Sequence, residues 1–165
     1  MEAGEPAAFS GKKIMRRTAE GLAQHYFTKA AQPLVVADGD KLFVHVYLDP
    51  KNPPREIMLQ WNDGTWEHRA FWGEDLIEWG QSGSPSRKRI GDLPTAGQWV
   101  RLEVPAKDVG LDAGKQINGW AFTQFGGTVY WDAAGIVTTA IQPGEKFRSL
   151  KRWEAVVKQG NQDTW

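Results

Sequence analysis

INGWAFTQFGGTVYWDA, residues 117–133, decides the fold class. Apolar and polar side chains alternate along both halves, the period of a strand with one buried face, and Gly126-Gly127 interrupts them with residues that favour a turn. Taken as a two-residue hairpin, the stretch gives strands Ile117 to Phe125 and Thr128 to Ala133. Phe125 then faces Thr128, Thr123 faces Tyr130 and Ala121 faces Asp132. Trp120, Phe122, Val129 and Trp131 share a core face. Thr123, Phe125, Tyr130 and Asp132 share the half-polar one, and a one-residue slip would exchange the two.

The same pattern runs outward from this stretch. Further strands are expected at Lys41 to Leu48, Glu56 to Trp61, Trp66 to Trp72 and Trp99 to Val104. Turn signals separate them, among them Asp49-Pro50, Asn62-Asp63-Gly64 and Leu93-Pro94, recurring about every eight to twelve residues as in a β-sandwich. The expected fold is an all-β jelly-roll sandwich. Residues 1–23 are assigned to a flexible tail and residues 24–142 to the sandwich. Residues 143–165 form a connector in which Ser149 caps a helix carrying Leu150, Trp153 and Val157.

In MLQWNDGTWEHRAFWG, residues 58–73, a loop at Asn62 to Thr65 sets Trp61 opposite Trp66, Leu59 opposite His68, Gln60 opposite Glu67 and Met58 opposite Arg69. Gln60, Glu67 and Arg69 then share one surface beside Phe71, and Trp72 and Trp79 flank the strand and the loop after it. Such a surface offers the acceptors and planar donors that sugar hydroxyls need, next to indoles on which a ring can stack. Gln60, Glu67, Arg69 and Trp72 are the expected ligand contacts, with Phe125 and Tyr130 as a second platform. Ordinary cross-strand ion pairs and core packing are the competing roles for each, and a satisfied half-buried state is the competing role for His68.

Composition narrows the function classes. The chain has 165 residues, nine tryptophans, no cysteine, and 20 basic against 20 acidic residues. One domain with a disulfide-free core fits that length. Thiolate chemistry, zinc ribbons and CxxCH haem attachment are excluded. Balanced charge argues against nucleic acid as a partner, and the basic clusters at Lys12, Lys13, Arg16 and Arg17, at Arg87 to Arg89 and at Lys146 to Arg152 fit solvated termini and one loop. No apolar run approaches the ~20 residues of a spanning helix, and the N-terminus lacks a signal-peptide core.

Catalysis finds little support. Glu67, Glu74, Asp75, Glu78 and Asp132 lack a defined separation for glycoside hydrolysis, and Gly83-Ser84-Pro85-Ser86 does not match GxSxG. His25, His45 and His68 lack metal-ligand spacing. No cofactor is required. A structural calcium stapling the sandwich through a strand-end carboxylate is the one candidate, with Asp132 as its ligand ahead of Asp38, Asp40 and Asp49. An ordinary turn or cap role for Asp132 is the competing and preferred reading.

Three segments, residues 46–73, 89–114 and 117–136, resemble a β-sandwich module of large secreted planctomycete-type cytochrome c proteins, where it lies between haem-carrying segments and domains of unknown function. WEHRAFWG and LPTAGQWVRLEVPA carry that resemblance, which covers roughly residues 24–137. It implies an extracytoplasmic module excised from a longer chain, without the haem sites. GQWVRLEVPA and GTVYWDAAGI are also similar to the last strands of galactose-binding-like carbohydrate-binding modules, which implies sugar binding and a structural calcium at Asp132. The leading expectation is therefore a noncatalytic module that binds a polysaccharide or glycan. The alternative is a structural domain that docks its parent's neighbouring domains, and the remotest is a small hydrolase or lyase using Glu67 or His68.

Overall fold

The computed structural model describes residues 5–140. Nine strands account for its regular structure: β1 (Met15–Phe27), β2 (Leu34–Val35), β3 (Lys41–Leu48), β4 (Glu56–Asn62), β5 (His68–Gly73), β6 (Lys88–Gly91), β7 (Trp99–Pro105), β8 (Gln116–Ile117) and β9 (Gly119–Val137). Among the described residues the only helical piece is a 3-10 turn at Ala106–Val109, closed by Gly110 in the left-handed conformation. The protein is an all-β sandwich, as its alternation predicts. The expected connector lies outside the described residues.

β9 organises the sandwich. Its 19 residues run through Gly126 and Gly127 without reversing, although both glycines have positive φ (70° and 73°). The expected hairpin is not formed. Positive φ at two successive residues is what a type I′ turn requires, but it equally lets a strand bend and flip the parity of its faces. β1 keeps β9 extended by pairing along both sides of the bend, from Met15↔Trp131 to Ala19↔Gly127 and on from Leu22↔Phe125 to Phe27↔Trp120.

The opposite edge of β9 changes partner at the glycines. Before them it pairs with β4 (Asn62↔Gly119 to Glu56↔Phe125), and after them with β3 (Leu48↔Val129 to Lys41↔Val137). One continuous sheet, ordered β6-β5-β4-β9-β3-β7 with β1 on β9, thus folds over into two layers. A strand that switches layers at a bend is how sandwich corners are made. The loop between β3 and β4 clamps the corner: Thr128 N donates to Asn52 O at 2.7 Å, and Arg55 N donates to Phe125 O at 2.9 Å.

Inner faces from both layers make one core. Val44, Val46, Leu102 and Val104 come from the β3–β7 side, Ile57, Leu59, Trp61 and Trp72 from the β4–β5 side, and Trp120, Phe122, Val129 and Trp131 from β9. The small β2–β8 sheet closes one end with Leu34 and Ile117. Burying side chains of this size contributes about 1.5–3 kcal/mol each.

Residues 15–23 belong to the sandwich, so the expected tail boundary falls inside β1. Arg16, Arg17, Thr18 and Glu20 hide this strand from a hydropathy pattern, because an edge strand buries few of its side chains.

Candidate functional site

The outer face of the β1–β9–β4–β5 layer carries the candidate site. Strand alternation sends Gln60 of β4, Arg69 of β5, Ala121 and Thr123 of β9, and Gln24 and Tyr26 of β1 to this side. β4 and β5 pair with Gln60 opposite Arg69 and Trp61 opposite His68, two residues away from the expected register. An even shift preserves the faces, so Gln60 and Arg69 still meet.

Residues 74–87 cross over the lower part of this face and make one wall of a groove. Ile77 packs with Met58 and Phe71. Glu56 anchors the crossing: its Oε2 accepts the N–H groups of Leu76 at 2.6 Å and Ile77 at 2.9 Å. Burial pushes this carboxyl above its usual range, and the two N–H donors pull against that rise. Gly80, at φ 78°, brings the chain so close that a Cβ there would stand 2.2 Å from Ser86 O and 2.8 Å from Arg69 Nη1. Trp79, the preceding residue, packs partly on the Met58–Phe71–Ile77 cluster and also faces the groove.

The groove measures about 340 Å3 and is lined by Gln24, Tyr26, Gln60, Trp66, Arg69, Trp79 and Ala121. Three aromatic side chains rim a polar floor. Tyr26, 52% exposed, meets Trp66 edge-on with ring centroids 6.0 Å apart. On the floor Arg69 Nε donates to Gln60 Oε1 at 2.8 Å, and Gln60 Nε2 donates to Gln24 Oε1 at 3.1 Å and to Thr123 Oγ1 at 3.0 Å. A further Arg69 bond, Nη1 to Ser86 O at 3.0 Å, ties the floor to the crossing loop. Polar groups held this firmly need no reorganisation when a ligand arrives.

No protein-family model matches the chain, and no curated protein matches it.

Of the expected contacts, Gln60 and Arg69 line the groove, and Glu67 stands beside it with a long 3.4 Å bond from Arg69 Nη1. Trp72 does not take part. It is 5% exposed and lies in the inter-layer core, so it has no face to offer a ligand. Trp66, Trp79 and Tyr26 supply the aromatic surface instead. Phe125 packs beside Met58 and Phe71, under the Arg55 guanidinium.

Tyr130 and Asp132 sit on the outer face of the other layer, so Phe125 and Tyr130 form no common platform. That second face is covered by the chain's own N-terminal segment. Phe9 stacks on His45 at 3.7 Å, Trp99 Nε1 donates to Ala7 O at 2.9 Å, and Arg16 lies over the Tyr130 ring. Asp132 accepts Ser10 N on Oδ2 and Ala133 N on Oδ1. Among the described residues no group of three or more His, Asp or Glu side chains could hold a metal ion. Both carboxylate oxygens of Asp132, the expected calcium ligand, are thus engaged by backbone N–H groups, and on that geometry EDTA is expected to leave the melting temperature unchanged within about 1 °C. Differential scanning fluorimetry with and without chelator checks this.

His68 is a satisfied histidine. Its Nδ1 lies 2.7 Å from Val109 O and its Nε2 3.0 Å from Asp63. Burial alone would raise the Asp63 carboxyl, but hydrogen bonds from Lys115 and His68 outweigh it and bring it to about 2.

Proposed function

We propose that the protein is a noncatalytic glycan-binding module whose ligand lies in the groove rimmed by Tyr26, Trp66 and Trp79. The observation that carries this function is the setting of three accessible aromatic side chains around the interlocked Gln24–Gln60–Arg69 floor. Sugar rings present apolar C–H faces and a hydroxyl rim, which match aromatic walls and a polar floor respectively. Binding of this kind needs no nucleophile, and the floor groups are engaged in holding one another.

The test is isothermal titration of the protein against soluble polysaccharides. Trp79→Ala is expected to weaken binding about five- to 150-fold, since stacking on one aromatic ring is worth about 1–3 kcal/mol. Trp99→Ala, on the opposite layer, is expected to leave affinity unchanged. Binding that survives both Trp79→Ala and Trp66→Ala would remove the groove from the function.

One observation favours docking of a neighbouring domain as a second function: Leu22 and Tyr26 are exposed on β1, whose pairing among the described residues is with β9 alone. Loss of association with an adjoining domain on Leu22→Lys, with glycan binding intact, would support it. Among the described residues no helix is long and apolar enough to cross a membrane.

A further inference from the structure

The hydrogen bonds of the groove floor run in one direction. Arg69 Nε–H can only donate, so Gln60 must present Oε1 to it and use Nε2 as its donor. Gln60 Nε2 therefore donates to both Gln24 Oε1 and Thr123 Oγ1. Thr123, having accepted there, turns its own proton to Gln24 Oε1 at 3.3 Å. Gln24 Oε1 thus accepts twice, and its Nε2 is left for the groove. Arg69 spends Nε and Nη1, and Nη2 has no protein partner among the described residues. What the floor still offers a ligand is N–H donors.

Its charge points the same way. Arg69 is 7% exposed, yet its one carboxylate partner, Glu67, stands 3.4 Å off with a side chain 62% exposed. Of the three carboxylates on the crossing loop, Asp75 is occupied by Arg87 at 3.5 Å and by the Ser82 hydroxyl, Glu74 by Arg55 at 2.6 Å, and Glu78 is exposed. A buried guanidinium with so weak a counter-charge favours a ligand that brings its own anion, and charge-assisted bonds to such an anion are about twice as strong as neutral ones.

We infer that the groove selects an anionic sugar residue, a uronate or a sulfated sugar, whose acidic group meets Arg69 Nη2 and Gln24 Nε2 while its ring lies against Trp66 and Trp79. The inference rests on the glycan-binding function proposed above, and the test separates the two. The purified full chain is titrated calorimetrically with polygalacturonate, with the same polymer fully methyl-esterified, with a sulfated galactan and with a neutral galactan. At least one acidic polymer is expected to bind about tenfold or more tighter than its uncharged counterpart. Which of them does so distinguishes carboxylate from sulfate.

Gln24→Glu keeps the acceptor that Gln60 and Thr123 use but replaces the Nε2 donor with negative charge. It is expected to remove that preference, weakening the acidic polymer about tenfold or more relative to the uncharged one. Equal binding of acidic and uncharged polymers by the wild type overturns the anion preference and leaves glycan binding standing. Acidic binding that persists in the Gln24→Glu protein also overturns it, because the attraction then lies outside the groove. No binding to any of the four polymers overturns both.

Discussion

Gly127→Ala is expected to cost at least about 4 kcal/mol and to leave little folded protein at 37 °C, whereas Gly126→Ala, one residue away, is expected to cost about 1 kcal/mol. Both glycines have positive φ, so both substitutions carry the penalty of a Cβ in the left-handed region. They differ in what that Cβ meets. At Gly126 its nearest neighbour is Glu20 O at 3.6 Å, an ordinary contact. At Gly127 it would stand 2.3 Å from Pro54 N and 2.5 Å from Pro53 C, backbone atoms of the clamping loop. That loop cannot retreat cheaply, because Asn52 O and Arg55 N hold it to β9 on either side of the corner. Urea denaturation followed by tryptophan fluorescence measures the two losses. Equal, small losses would mean that the loop does not press on β9 and that the two layers are joined in some other way.

This corner also explains how far the fold was legible in sequence. The two faces of residues 120–132 follow from alternation alone, and they survive although the hairpin does not form. A two-residue turn and a two-glycine bend both exchange odd for even positions, so Trp120, Phe122, Val129 and Trp131 are inward in either case. Topology is a different matter. A hairpin and a bent strand share their local signal, and the choice between them is made by β1, whose pairing with both halves of β9 depends on contacts distant in sequence. Polar residues at an edge strand carry no periodic mark of that role.

Half of the site was equally legible. Gln60 and Arg69 share an outward parity under either register of β4 and β5, so their meeting could be read from residue spacing. The same parity argument places Trp72 with His68 and Ala70 on the inward side, and in the structure it lies there. Gln24 and Tyr26 depend on β1, while Trp79 depends on a loop crossing held by Glu56. Neither placement has a local sequence signal. A chain can therefore display in its strand pattern the part of its binding site that two neighbouring strands build, and conceal the parts supplied by a distant edge strand and by a loop.

His25 sets the second large effect, an acid limit to stability. It lies on the inward face of β1, stacked on Phe122 with ring centroids 5.1 Å apart. Burial, helped by the positive charge of Arg17, lowers its pKa from 6.5 to about 3. A base whose folded pKa is depressed binds fewer protons in the folded state than in the unfolded one between those two values. Its contribution is whole above 6.5 and drains as pH falls towards 3, at about 1.4 kcal/mol for each pH unit. The Asp63 carboxyl, at about 2, begins to lose stability only below its ordinary value of 3.8. Glu56 works in the opposite sense, since a raised carboxyl pKa favours the folded state as pH falls. Between pH 6.5 and 4.5 the loss is therefore expected to belong to His25. His25→Phe keeps a ring against Phe122 and removes the proton-binding group, so its unfolding free energy should not fall over that window, and Glu56 should raise it slightly, while the wild type loses about 2–3 kcal/mol. Urea titrations at half-unit pH steps compare the two proteins. Parallel slopes would show that His25 accepts a proton without unfolding the sandwich, and that the inner face of β1 opens to water more readily than its packing implies.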